Sequence, residues 1–122
     1  MMAGPLPKPV IWMGHSREVL RDFPALVQDE IGFALYRAQV GGTHPSTKPL
    51  KGFGSGGLEV LSDHRGDTFR AVYTVRFAEN VYVLHAFQKK SRKGIATPAR
   101  ELDLVRARLK QAEALQRKRE NQ

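Results

Sequence analysis

The sequence predicts a small α+β domain of the order β-α-α-β-β-β-α, an antiparallel meander covered by a helical hairpin and followed by a C-terminal helix. Three observations carry that expectation. Residues 68–77 and 81–88 alternate at strand period, with the turn signal Glu79-Asn80 between them. Residues 16–40 place apolar side chains at helical spacing and are closed by Gly41-Gly42. Thr97-Pro98 then opens a third helical pattern, with Thr97 as its N-cap and Pro98 at its first position. With 122 residues the chain is long enough for one modest core and for one domain.

Element by element, the Pro-rich residues 1–9 read as a flexible N-terminal extension, residues 10–116 as the folded domain and residues 117–122 as a frayed basic tail. The apolar run Val10-Ile11-Trp12-Met13 is a first strand. Ser16 is suited to cap a first helix carrying Val19, Leu20 and Phe23. Pro24 opens a second helix, where its missing N–H costs little. Leu26, Val27, Ile31, Ala34, Leu35 and Ala38 are expected to line its buried face. Residues 43–57 read as loop, Leu58 to Leu61 as a strand, and His64-Arg65-Gly66-Asp67 as a turn.

In the next strand Phe69, Ala71, Tyr73, Val75 and Phe77 share one side, and Thr68, Arg70, Val72, Thr74 and Arg76 the other. Polarity turns Thr68, Arg70, Thr74 and Arg76 outward. In the last strand Val81, Val83, His85 and Phe87 alternate with Tyr82, Leu84, Ala86 and Gln88. The hairpin should cover one face of this meander. The other is expected to stay partly open, bordered by Arg70 and the strand exit. Leu102, Val105, Leu109 and Ala112 give the last helix a narrow apolar stripe.

Charge is distributed unevenly. The net charge is +8, and residues 89–120 hold 11 basic against 4 acidic side chains. Such an asymmetry points first to nucleic acid, then to an acidic protein or an anionic membrane. Cysteine is absent, which excludes a disulfide framework and Cys-based zinc sites. No apolar run approaches the roughly 18–20 residues of a membrane span, and the N-terminus does not read as a signal peptide. A cytoplasmic protein is expected. Residues 52–57 spell G-F-G-S-G-G but precede a strand, whereas a dinucleotide site needs that pattern to open a helix. The four histidines lack metal-ligand spacing, and no G-x-S-x-G marks a hydrolase.

What remains is cationic chemistry on phosphate. The last strand runs directly into Lys89, Lys90, Arg92 and Lys93, with no carboxylate among them. Cleavage of RNA by its own 2′-hydroxyl needs a proton removed, a phosphorane stabilised and a 5′-oxygen protonated. A guanidinium binds phosphate oxygens in a fork, and a lysine can transfer protons once neighbouring cations lower its pKa. Arg70 reads either as a phosphate contact or as a surface salt bridge to Glu59 or Asp67. His85 reads either as a hydrogen-bonded strand histidine or as an acid–base or RNA-contacting group.

Taken together, the segments A-L-Y-R-A-Q-V-G-G-T-H-P-S-T-K-P-L-K-G-F-G-S-G-G-L-E-V, D-T-F-R-A-V-Y-T-V-R-F and V-Y-V-L-H-A-F-Q-K-K-S-R-K-G-I-A-T-P resemble the phage-derived, HigB-like branch of the RelE/ParE toxin superfamily. The resemblance covers roughly Val10 to Leu115 and implies a RelE-like fold. It further implies the toxin of a type II toxin–antitoxin pair, a metal-independent mRNA endoribonuclease acting at the ribosomal A site. Its partners would be mRNA, the ribosome and a cognate helix-turn-helix antitoxin, with no membrane and no small-molecule cofactor. Carried over by position, Arg70, Lys89, Lys90 and His85 would form the catalytic set. Lys51, Tyr73, Arg76, Phe87, Arg92 and Lys93 would contact RNA. Many relatives carry an arginine in a W-E-L-R pattern where this chain has Leu58-Glu59-Val60-Leu61. Two other readings are a non-catalytic ParE-like inhibitor of DNA gyrase and a degenerate phage-derived RNA-binding protein.

Overall fold

Our computed structural model describes residues 6–54, 56–89 and 97–121. The elements are β1 (Val10–Trp12), α1 (Ser16–Arg21), α2 (Ala25–Gln39), β2 (Thr47–Pro49), β3 (Leu58–His64), β4 (Asp67–Thr74), β5 (Val81–Lys89) and α3 (Ala99–Glu120). They form one five-stranded sheet in the order β1-β5-β4-β3-β2. β1 runs parallel to β5, and the remaining pairs are antiparallel. The α+β class and the meander stand as expected.

Local chemistry explains most boundaries. Gly41, at φ 87°, and Gly42 end α2, and the Gly42 N–H donates to the Arg37 carbonyl at 2.7 Å. Arg65 and Gly66 both have positive φ, 51° and 85°, in the two-residue connection between β3 and β4. A turn of that kind matches the twist of the strands it joins. The two expected cap residues serve the sheet instead. The Ser16 hydroxyl donates to the Val83 carbonyl at 3.4 Å, and the Thr97 hydroxyl donates to Glu59 at 2.8 Å.

Several expectations need correction. Residues 47–49, read as loop, form the edge strand β2, which is three residues long and ends in proline. Proline is tolerated on an edge because its missing N–H breaks no ladder bond there. β4 stops at Thr74, so Val75, Arg76 and Phe77 lie beyond the strand. Leu26 is 70 % exposed and lies outside the core. The chain docks from Lys8, whose N–H donates to the Gln39 carbonyl at 2.9 Å and whose carbonyl accepts the Gln39 amide at 2.7 Å. α3 continues to Glu120, past the expected fraying point.

The largest correction concerns the second face of the sheet. α1 and α2 cover one face, where Ile31, Ala34, Leu35 and Ala38 pack on Val60, Ala71, Tyr73, Val81 and Val83. The other face is covered as well: Val105 and Ala112 of α3 pack on Val72, Tyr82 and Leu84. Thr74, expected to face outward, is fully buried on this side. The stripe of α3 is extended by a polar residue, since buried Gln116 accepts from the Tyr82 hydroxyl at 2.7 Å and from Asn80 at 3.0 Å. An apolar count alone makes such a helix read as solvated.

β5 departs from strict alternation. His85 pairs with Val72 but Val83 pairs with Tyr73, so Leu84 is an extra residue opposite no β4 partner. This bulge shifts the phase of the strand by one. Before it, Tyr82 and Leu84 face α3; beyond it, His85 and Phe87 do. Val81, Val83 and Ala86 face α1 and α2. The Leu84 carbonyl accepts from the Arg108 guanidinium at 2.9 Å. That guanidinium rests on Gly14, where a Cβ would lie 2.5 Å from its central carbon.

Covering of the second face has a measurable consequence. Val105→Ala, at a fully buried position, is expected to cost about 1.5–3 kcal/mol. Lys110→Ala, on the exposed side of α3, should stay within about 0.5 kcal/mol of wild type. Urea unfolding of both variants tests this, and a neutral Val105→Ala would mean that α3 does not pack on the sheet.

Candidate functional site

The pairing of the three long strands assembles one patch at the end of the sheet where β5 exits. Thr68 pairs with Lys89, Arg70 with Phe87 and Leu61, and Val72 with His85 and Glu59. Paired residues share a face, so Glu59, Leu61, Arg70, His85, Phe87 and Lys89 all lie on the α3 side. Thr97, just before α3, and Glu101 and Arg108 in its first half meet them.

Arg70 sits at the centre. Its guanidinium donates to the Glu59 carboxylate at 3.2 Å and to the Thr97 hydroxyl at 3.0 Å, and Thr97 donates in turn to Glu59. Arg70 and Glu59 are 5 % and 2 % exposed, so this is a buried pair and neither a surface salt bridge nor an outward cation. Asp67, the other candidate partner, accepts from Gln88 at 3.0 Å. A charge taken out of water this way is tolerated only with a close counter-charge and satisfied hydrogen bonds.

His85 is held on both ring nitrogens. Arg108 approaches Nδ1 at 3.2 Å, and Nε2 lies 2.8 Å from Glu101. A guanidinium only donates, so Nδ1 accepts and Nε2–H donates to the carboxylate. Phe87 stacks on the imidazole with centroids 5.1 Å apart and an interplanar angle of 22°. His85 therefore pins α3 to β5, as the hydrogen-bonded strand histidine of the simpler reading. Burial lowers the pKa of Arg108.

Lys89 is half-buried on the same face. Its pKa is lowered, chiefly by burial and then by the positive charge of Arg70, while Glu59 acts in the opposite sense. A lysine so placed yields its proton more readily than one in water.

The other expected contacts divide differently. Tyr73 is fully buried on the α2 side, and Phe87 is buried beneath His85, so both are packing residues. Lys51 is exposed in the loop after β2, next to the Leu58–Tyr73 pair. That pair is about 16 Å along β4 from the Thr68–Lys89 pair. Arg76 lies past the end of β4, 3.4 Å from Glu113 of α3. Lys90, Arg92 and Lys93 lie outside the described residues. Sequence reasoning missed Thr97, Glu101 and Arg108, and treated Glu59 only as an exposed partner. The one legible signal was a glutamate in mid-strand, an acid that needs a cation across the sheet once that face is covered.

The buried pair yields a prediction. Arg70→Ala leaves the Glu59 carboxylate uncompensated and is expected to cost about 3–5 kcal/mol. Adding Glu59→Leu should recover most of that loss. Urea unfolding of both variants measures it, and an Arg70→Ala variant as stable as wild type would contradict the pairing.

Comparison with known proteins follows the same lines. The model of the family described as phage derived protein Gp49-like (DUF891) matches residues 18–110. In fold the chain is similar to a double arginine-to-alanine mutant of the E. coli toxin RelE in the free state. The TM-score is 0.51 at 13 % identity, over 66 % of this chain and 82 % of that one. It also matches a chain of the toxin–antitoxin complex RelBE2 from Mycobacterium tuberculosis, with a TM-score of 0.46 at 18 % identity, over 69 % and 93 % of the two chains. No curated protein matches the sequence. No helix of the described residues is long and apolar enough to cross a membrane. The matched segment runs from α1 through most of α3 and includes every element that builds the patch, and the chain belongs to the phage-derived Gp49-like family with a RelE-like fold.

Proposed function

We propose that this protein is the toxin of a type II toxin–antitoxin pair and a metal-independent endoribonuclease that cuts mRNA at the ribosomal A site. The observation that carries the reading is Lys89. It ends β5 on the same face as Arg70, its pKa is lowered, and it opens the basic run of residues 89–93. Lys89 takes the proton of the 2′-hydroxyl. The freed oxygen attacks phosphorus to form a 2′,3′-cyclic phosphate, and the 5′-oxygen leaves with a proton from a second cationic group, for which Lys90 is the candidate. Lys90, Arg92 and Lys93 hold the phosphate and stabilise the charge that develops on it.

Arg70 takes a different part from the one its charge first suggests. Buried against Glu59, it adds its charge to the effect of burial, which is the larger cause of the lowered Lys89 pKa, while Glu59 opposes it. His85 and Phe87 hold α3 and the end of β5 in place. Lys51 and Arg76 lie toward the far end of the sheet and would meet a different stretch of RNA or the ribosome. The cognate partner is a helix-turn-helix antitoxin, and the compartment is the cytoplasm.

Primer extension on a translated mRNA after induction tests the reading, with wild type beside Lys89→Ala/Lys90→Ala. Wild type should give new 5′ ends that need ongoing translation, and the variant should reduce them roughly 100-fold or more while keeping its fold. Because the neutral amine of Lys89 accumulates as pH rises, cleavage should increase with pH and level off below the range of an ordinary lysine. Growth arrest without new ends would replace the nuclease with a gyrase-type inhibitor.

A further inference from the structure

A second surface, remote from the β5 exit, has a use that the nuclease reading leaves unassigned. The outer side of α2 exposes Leu26, Phe33 and Tyr36 at 70 %, 51 % and 49 %. Among the described residues, the other large exposed apolar side chains, Leu6 and Val75, lie outside this helix. Phe33 is held rigid, with His44 edge-on to its ring at 5.6 Å and the Arg37 guanidinium 6.0 Å from its centroid. A preordered aromatic on an otherwise solvated face is the usual anchor of a protein contact.

The spacing of this face says what it fits. At about 100° per residue, Leu26, Phe33 and Val40 fall within about 20° of one line along the helix. Asp29 and Tyr36 flank that line on one side, and Glu30 and Arg37 on the other. Rotation of a second copy by 180° about an axis beside Phe33, perpendicular to both helices, reverses the helix direction but keeps each flank facing the same flank of the partner. Phe33 then meets Phe33 of the second copy, and Leu26 meets Val40. Glu30 meets Arg37 twice, once on each side of the axis. Neither Glu30 nor Arg37 has an ion-pair partner among the described residues, and Glu30 accepts only from the Ser46 hydroxyl at 3.4 Å. On the other flank Tyr36 lies opposite Asp29, whose carboxylate accepts its phenol.

We infer that the outer face of α2 is a self-complementary surface on which two copies of this chain pair as antiparallel helices about Phe33. The arrangement is isologous and closed, so it gives a dimer and not a filament. One pair of 15-residue helices buries less than a standard interface, so the association is weak and concentration-dependent.

Sedimentation equilibrium of the full chain from micromolar to near-millimolar concentration tests it. Wild type should pass from monomer to dimer. Phe33→Glu should abolish association, and Glu30→Arg or Arg37→Glu alone should weaken it about tenfold or more, because each sets like charges together twice. The double swap Glu30→Arg/Arg37→Glu should restore it, since the pairing is then reversed in sign and otherwise unchanged. Circular dichroism confirms that each variant is folded. A wild type that stays monomeric throughout would overturn the inference, including the case in which an antitoxin is what covers this face. A dimer indifferent to these substitutions, or one the double swap fails to restore, would overturn it as well.

Discussion

One extra residue organises the end of the sheet where β5 exits. Leu84 has no partner on β4, and the phase of β5 changes there. Had the strand kept its alternation, Ala86 and Gln88 would face α3, and His85, Phe87 and Lys89 would point to the side covered by α1 and α2. With the bulge, the β5 exit turns its cation toward Arg70. A bulge leaves main-chain groups outside the ladder, and here the Leu84 carbonyl is satisfied by Arg108. The same guanidinium reaches His85, so one side chain of α3 supports both the irregularity and the residue it reorients.

The helix that supplies Arg108 is held at both ends by polar contacts and between them by apolar ones. Near its start Glu101 meets His85 and Thr97 meets Glu59; near its end Gln116 meets Tyr82 and Asn80. Val105 and Ala112 fill the interval. Directional contacts of this kind set the register of a helix on a sheet more strictly than a narrow apolar stripe can. They also account for the placing of Arg70. Covered by α3, its charge stays in the fold only because Glu59 lies across the strand pair, and from there it bears on Lys89.

Much of the fold was legible in the sequence. The helical hairpin, the stop at Gly41-Gly42, the tight turn at Arg65-Gly66 and the meander all rest on local chemistry that period and turn residues report. What period could not report was any event that depends on a partner element. β2 is three residues with a terminal proline, a strand only because β3 lies beside it. The bulge at Leu84 occurs inside a run in which every residue suits a strand. The burial of Thr74 and Arg70 depends on α3, whose buried side includes a glutamine. For the site the outcome is similar. The basic exit of β5 was plain in the sequence, and Arg70 and Lys89 do lie on one face. Tyr73 and Phe87 were assigned by position in a resembling motif, yet their rings are spent on packing. Leu26, counted with the core by its spacing, lies on the exposed ridge of α2.

The central claim is that fold geometry, and not mere abundance of lysine, prepares Lys89 for proton transfer. Titration of its side-chain amine by NMR, with the Lys89 signal assigned by substitution, tests this without any assumption about the substrate. The account predicts a pKa below the ordinary lysine value of about 10.4. A Lys89 that titrates at or above that value would mean that burial and Arg70 do not act on it, and the assignment of this patch as the working site would fall.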